Sequence, residues 1–267
     1  MMDKLNKQNK SAQNYGRRSF IKTLLLSFGS LLFPSFIAAY EKIDKAKAWI
    51  LGDGYNPAGH YWGMGIDIGK CIGCGRCVDA CKRENNVPKE PFFFRTWVER
   101  YRILEGGETL VDSPNGAING FKAELLEKTI IRSFFVPKLC NQCDNPPCVQ
   151  VCPVGATFKN ADGVVLVDSG YCIGCRYCIQ ACPYGARFLD PETRTAEKCT
   201  FCYHRIVKGL APACVEACPT QARIFGEIKK KASPLVRFLR MNKIAVLKPY
   251  LNTEPKVFYA NLDMEVK

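Results

Sequence analysis

At 267 residues, 47% of them hydrophobic and 24% charged, the chain is long enough for one or two compact units. Its 16 prolines and 21 glycines favour a loop-rich build, and its net charge of +13 invites a nucleic-acid reading that has to be weighed against 16 cysteines. Beyond one run near the start, no stretch reaches the ~18 apolar residues of a spanning helix, so the body of the chain is expected to be soluble or peripheral to a membrane.

Residues 1–15 are polar and basic, and Gly16-Arg17-Arg18-Ser19-Phe20-Ile21-Lys22 has the form of a twin-arginine signal core. The apolar run from Leu24 to Ala39 is broken by Gly29, Ser30 and Pro34, too short and interrupted for a convincing span. A signal peptide over residues 1–39 is expected, with Ile37-Ala38-Ala39 as a rough cleavage box and an uncleaved anchor as the alternative. That export route carries folded protein. A periplasmic location, peripheral to the cytoplasmic membrane, follows as the expectation.

Residues 40–62 form a polar-to-aromatic lead-in with a turn at Gly52-Asp53-Gly54. Gly63 to Ile68 reads as a short strand feeding Cys71, Cys74, Cys77 and Cys81, spaced C-x2-C-x2-C-x3-C. Gly63-x-Gly65 is no dinucleotide fingerprint, because a cysteine loop and not a helix follows it. Lys82 stands where proline follows the other final cysteines, which predicts a longer helix through Glu84. Residues 91–136 have two β-like runs, Phe92 to Ile103 and Thr129 to Val136, separated by turns at Gly106-Gly107 and Ser113 to Gly116. They predict an inserted sheet packed on the core, with Trp97 and Tyr101 inside it.

From Val136 the plan repeats. The second set is Cys140, Cys143, Cys148 and Cys152-Pro153, its middle gap widened by Asp144-Asn-Pro-Pro147. Asn160-Ala-Asp-Gly163 then turns a hairpin into Val164–Val167. The third set, Cys172, Cys175, Cys178 and Cys182-Pro183, is C-x2-C-x2-C-x3-C-P, and the fourth is Cys199, Cys202, Cys214 and Cys218-Pro219. Pro153 to Phe158, Pro183 to Phe188 and Pro219 to Phe225 echo one another as an internal repeat of ligand helix, proline and strand. The tail, 229–267, is too polar to span a membrane. It is expected to be an arm on a partner subunit, with an edge strand and cap on its own domain as the alternative.

The third set has the bacterial spacing in which thiolates hold a [4Fe–4S] cube, the fourth cysteine serving a second cube. The 16 cysteines divide into four such sets with none left over, which predicts four [4Fe–4S] clusters. Zinc fits three closely spaced thiolates plus a fourth and proline poorly. Disulfides suit small exported scaffolds, whereas this spacing turns neighbouring sulfurs toward one centre. Each loaded cube carries about −2, so four contribute about −8 and leave the protein near +5. Much of the basic excess therefore balances its own cofactors. His204 lies inside the fourth set and is expected beside a cluster or at the surface rather than as a ligand; His60 is the other histidine. Arg176, Tyr177, Tyr184 and Arg187 are read as shielding or partner-facing. With every iron thiolate-ligated, no metal is open to substrate, and no base–nucleophile pair is evident. The chain reads as a relay for single electrons and not as a catalyst.

Together with the twin-arginine start, these motifs resemble the four-cluster electron-transfer subunits of the DMSO reductase and polysulfide reductase group. In layout they are similar to the exported ferredoxin-type subunits associated with tetrathionate reductase, formate-dependent nitrite reduction, hydrogenase-2 and the sulfite-reductase-linked membrane complex. The resemblance covers residues 60–228. It implies an α+β fold of two nested bacterial ferredoxin-like dicluster modules, 63–90 with 183–228 and 137–182, carrying the β-rich insert 91–136 and a C-terminal arm. Spacing alone allows the third set to pair with the second or with the fourth. The family order implies Cys71, Cys74, Cys77 and Cys218 on one cluster, and Cys81, Cys199, Cys202 and Cys214 on the next. Cys140, Cys143, Cys148 and Cys182 take a third, and Cys152, Cys172, Cys175 and Cys178 the fourth. The implied partners are an integral membrane quinone-reactive subunit of the polysulfide-reductase type and a molybdopterin, hydrogenase or multihaem cytochrome subunit. No nucleic acid and no small-molecule substrate are expected. A free-standing exported polyferredoxin is the alternative.

Overall fold

The computed structural model of the protein describes residues 54–90, 93–122 and 128–266. Contacts divide the chain into Met1–Gly54 and Tyr55–Lys267, and every described element lies in the second unit. The twin-arginine core, the apolar run after it and most of the lead-in lie outside the described residues.

In chain order the elements are β1 (Trp62–Asp67), α1 (Arg76–Glu84), β2 (Thr96–Leu104), β3 (Thr109–Asp112), β4 (Ile130–Leu139), α2 (Pro147–Gln150), β5 (Thr157–Lys159) and β6 (Val165–Val167). There follow α3 (Tyr177–Gln180), β7 (Arg187–Leu189), β8 (Ala196–Lys198), α4 (Tyr203–Ile206), α5 (Ala213–Glu216), β9 (Arg223–Glu227), α6 (Pro234–Met241), β10 (Ile244–Ala245) and β11 (Val257–Ala260). The fold is α+β. Its small sheets and single-turn helices leave much of the interior to the cysteine loops.

Helix α1 is the longest of these, nine residues ending at Glu84 as the absence of proline after Cys81 predicts. Cys77, Val78, Cys81 and Lys82 are its buried residues, at the spacing of one helix face. It packs against α5 of the fourth cysteine set, while α2 of the second set packs against α3 of the third. The hairpins β5–β6 and β7–β8 follow the second and third sets.

The predicted insert is a three-stranded sheet of order β3-β2-β4. The two predicted turns bracket β3, an additional strand, and β4 runs past Val136 to Leu139, directly into Cys140. Pro137 is tolerated because β4 is an edge strand with Val98 of β2 opposite. Tyr101 is buried and stacks on Phe134 with ring centroids 5.2 Å apart. Trp97 is only half-buried, contrary to expectation, because its indole N–H turns out to donate to Glu99 Oε1 at 2.8 Å.

The tail corrects the expected arm. β11 pairs in parallel with β1, from Met64 opposite Val257 to Asp67 opposite Ala260, in a sheet of order β10-β11-β1-β9. Val257, Tyr259 and Ala260 are fully buried. The cause lies in β1, whose side chains alternate between two faces. Met64 and Ile66 are fully buried on one, and Gly63 and Gly65 leave the other smooth enough for α6. A Cβ at Gly65 would stand 2.5 Å from the Phe238 ring. Leu235 of α6 is fully buried in the same layer, with Ile224, Ile228 and Ala260 among its neighbours. The alternative of a strand and cap on the chain's own domain is the one realised.

Candidate iron–sulfur centres

The first and third cysteine loops share the sequence Cys-Ile-Gly-Cys, and the glycine is required in both. Gly73 and Gly174 have φ of +68° and +69°, and a Cβ would stand 2.5 Å from the Phe135 ring or 2.6 Å from the Arg194 carbonyl oxygen. The loop therefore folds tightly enough to turn successive sulfurs inward. All sixteen cysteines are free thiols. Cys71, Cys74, Cys77 and Cys218 line one cavity, roofed by Val98 and Pro137 of the insert. Cys81, Cys199, Cys202 and Cys214 line a second, and Cys140, Cys143, Cys148 and Cys182 a third. Cys178 packs with Cys148, Val165 and Ala196, with Cys172 against them. Cys175 is exposed, and Cys152 is half-buried in a ring of backbone N–H groups.

The grouping of four cysteines in each cavity suits a multi-iron group. Tetrahedral zinc, with Zn–S of about 2.3 Å, needs its thiolates about 3.8 Å apart. Among the described residues, no three Cys, His, Asp or Glu side chains are gathered closely enough to hold one metal ion. Cysteines that share a cavity without converging on a point suit a cube that offers each sulfur a different iron.

Electrostatics make the same demand. Burial, then the neighbouring thiols, push Cys199 and Cys143 up to about 12. Burial likewise pushes Cys71 and Cys214 up to about 11. Cys81 is raised well above the thiol range for the same reason. Four such groups become thiolates together only when a strongly positive group enters the cavity. Cys152 differs: burial raises it, but the N–H groups of Thr157, Val154, Ala156 and Gly155 outweigh burial and bring it below the ordinary thiol. Backbone N–H groups also approach other sulfurs, Ala222 to Cys218 at 3.3 Å, Ala196 to Cys172 at 3.4 Å and Phe201 to Cys199 at 3.4 Å. Such bonds favour added negative charge on the sulfur and so bear on reduction potential.

Several residues at these cavities escaped sequence reasoning. Arg223 is 3% exposed and donates to Cys77 Sγ at 3.4 Å and Thr96 Oγ1 at 2.8 Å. Arg187, read as shielding or partner-facing, is 6% exposed and donates to Cys148 Sγ at 3.1 Å and Thr157 Oγ1 at 3.4 Å. Both occupy one place in the repeat, Cys-Pro-x-x-Ala-Arg, and that repetition was the available signal. Arg187 Nε and Arg223 Nη1 are buried with no acceptor among the described residues, donors that cluster sulfide would satisfy. Gln142, fully buried, donates to the Cys199 carbonyl at 2.7 Å and accepts from the Val165 N–H at 2.7 Å. Asn85 Nδ2 stands 3.6 Å from both Cys81 Sγ and Cys202 Sγ.

His204 is half-exposed and bonds Glu84 Oε1 at 2.7 Å, so its ring faces a carboxylate at the surface. His60 meets Glu227 Oε1 at 2.7 Å. Arg176 and Tyr177 are exposed, and Tyr184 is half-buried against Thr253 Oγ1 at 2.5 Å.

Two families, each described as a 4Fe–4S dicluster domain, match residues 70–156 and 131–228. Two dicluster domains account for four [4Fe–4S] clusters. A tetrathionate reductase subunit of Salmonella typhimurium is 46% identical over 206 residues, 76% of this chain and 74% of that one. Its namesake in Archaeoglobus fulgidus is 49% identical over 197 residues, 74% and 80% of the two chains. The arsenate respiratory reductase iron–sulfur subunit of Shewanella is 35% identical over 245 residues, 74% and 94% of the two chains. With two loops of the bacterial spacing, two more with a widened middle gap, sixteen free thiols and matches of this extent, the chain belongs to the family of 4Fe–4S dicluster iron–sulfur subunits that transfer electrons in respiratory reductase complexes.

Proposed function

We propose that the chain relays single electrons along a row of four cubes between a membrane subunit and a catalytic or cytochrome subunit. The observation that carries this is the distribution of exposure. In the sets Cys81, Cys199, Cys202, Cys214 and Cys140, Cys143, Cys148, Cys182, every thiol is buried except half-buried Cys182. The other two sets each have one exposed thiol, Cys74 and Cys175, beside Ile72 and Ile173, which are 58% and 66% exposed. Two dry inner centres and two outer ones open to a partner are what a relay needs.

Each cube, when bound, takes up and gives back one electron at a time. In this reading Cys71, Cys74, Cys77 and Cys218 hold the first cube. Cys81, Cys199, Cys202 and Cys214 hold the second, Cys140, Cys143, Cys148 and Cys182 the third, and Cys152, Cys172, Cys175 and Cys178 the fourth. The shared cavities and the packing of α1 on α5 and of α2 on α3 support this order. The sets also touch in sequence electrostatically: Cys77 acts on Cys214, and Cys140 on Cys199. Cys148 and Cys178 share one apolar cluster. The burial of the inner thiols keeps water from the middle of the row.

The membrane partner we propose is a quinone-reactive subunit of the polysulfide-reductase type, and the other partner a molybdopterin, hydrogenase or multihaem cytochrome subunit. Gly16 to Lys22 supports twin-arginine export to the periplasm, peripheral to the cytoplasmic membrane. The test is single Cys→Ala replacement in the intact complex, isolated without oxygen from the periplasmic face. Cys71→Ala and Cys218→Ala should abolish the same paramagnetic signal, as should Cys140→Ala and Cys182→Ala. Joint loss by Cys182→Ala and Cys199→Ala would refute the order. A chain found in the cytoplasm, unaffected by Arg17→Lys with Arg18→Lys, would refute the location.

A further inference from the structure

Three basic side chains lie buried beside cysteines of two different sets, and none has a carboxylate partner among the described residues. Arg223 bonds Cys77 Sγ of the first cube's ligands and feels Cys71, Cys77 and, from the second cube's, Cys214. Lys198, fully buried, donates to the Cys199 carbonyl at 2.7 Å and to that of Val165. The thiols acting on it are Cys199, a ligand of the second cube, and Cys140 and Cys148, ligands of the third. Arg187 bonds Cys148 Sγ of the third cube's ligands and feels Cys140 and, from the fourth cube's, Cys178. Other buried basic residues answer to carboxylates, Arg100 to Asp112, Lys138 to Glu99 and Lys256 to Asp144, while Lys82 donates to the carbonyls of Pro88, Lys89 and Glu90, outside the cysteine loops.

A buried cation without a counter-ion is costly. Burial first, and then the Arg187 cation, lower Lys198, while the thiols of Cys140, Cys199 and Cys148 oppose them. Arg187 and Arg223 are raised in spite of burial, because thiol groups surround them. The anion that completes each site is the thiolate-bound cube on either side, each about −2. Reducing a cube adds one more negative charge. In a dry interior, a cation between two cubes favours that charge on either one and weakens the repulsion between them.

We propose that Arg223, Lys198 and Arg187 each occupy one of the three gaps in the row, first to second, second to third and third to fourth. Each holds the two clusters flanking it at a higher reduction potential than they would have without it. These are positioning residues for charge and touch no substrate. The inference rests on the cluster order proposed above.

The test is a redox titration of the intact complex followed by electron paramagnetic resonance, with iron counted in each preparation. The neutral variants are Arg223→Gln, Lys198→Met and Arg187→Gln; the charge-keeping ones are Arg223→Lys, Lys198→Arg and Arg187→Lys. Each neutral variant should lower the potentials of its two flanking clusters and leave the other two in place. At a potential where those clusters are half reduced in the native protein, the ratio of reduced to oxidised cluster should fall from one to about one tenth, a tenfold change or about 59 mV for one electron. The charge-keeping variant should recover most of it. Should a neutral variant shed iron, its charge-keeping partner carries the test, a smaller shift confined to the same two clusters. Full iron with all four potentials unmoved, or all four moved alike, would overturn the inference and leave the cluster order standing. A shift confined to two clusters that do not flank the residue would overturn the order instead.

Discussion

Glu227 shows how single residues set the pH behaviour of this chain. Its carboxylate meets His60 Nδ1 at 2.7 Å and Lys230 Nζ at 2.5 Å. Burial pushes it up, but those two partners outweigh burial and hold it below the usual carboxylate value. A carboxylate depressed in the folded state stabilises above its unfolded pKa, about 4.3, and loses that contribution as pH falls through the folded value. Glu227→Gln should therefore cost about 1–2 kcal/mol at neutral pH, read as earlier thermal loss of visible absorbance, and the gap should close in acid. A gap that ignores pH would contradict this. The cysteine ligands were legible residue by residue, because their spacing is local. Arg187 and Arg223 were visible as a repeated position. Their burial was not, because basic residues are mostly exposed and only the fold shows them facing sulfur.

Among elements, β1 carries the most information per residue. Its glycines bring α6 into contact, so Gly65→Ala should force the Phe238 ring aside, from a Cβ contact of 2.5 Å. A cost of about 1–3 kcal/mol is expected. Phe238→Leu, which removes the ring, should make the pair of substitutions cost less than the sum of each alone, measured as denaturation midpoints. Strict additivity would show that the contact does not govern the packing. The strand before the first cysteine loop, the length of α1 and the insert's sheet were all readable from local composition. The tail was not. β11 finds its partner in β1, at the far end of the described chain, and a parallel pair leaves no turn signature between its strands. The glycine alternation in β1 was a trace of the missing helix, and nothing local says what covers it.

On the scale of the whole molecule, three cysteine-lined cavities and the fourth group of cysteines take the place of much of the apolar core that a chain of 267 residues would otherwise need. The net charge of +13 is largely an internal balance. Arg187, Lys198 and Arg223 show part of it directly, buried beside the thiols and not spread on a surface for nucleic acid. The number of clusters and the electron-transfer class were legible because cysteine spacing is dictated by cluster geometry and survives any arrangement of the rest. The order of the sets was not, since short separations permit two pairings; helix packing and shared cavities support the one proposed above. The most direct measurement is an anaerobic reductive titration of the loaded chain with iron and labile sulfide determined on the same sample. Four cubes predict about sixteen of each and uptake of about four electrons per chain. A colourless protein, or one holding far fewer irons and accepting correspondingly fewer electrons, would contradict the account.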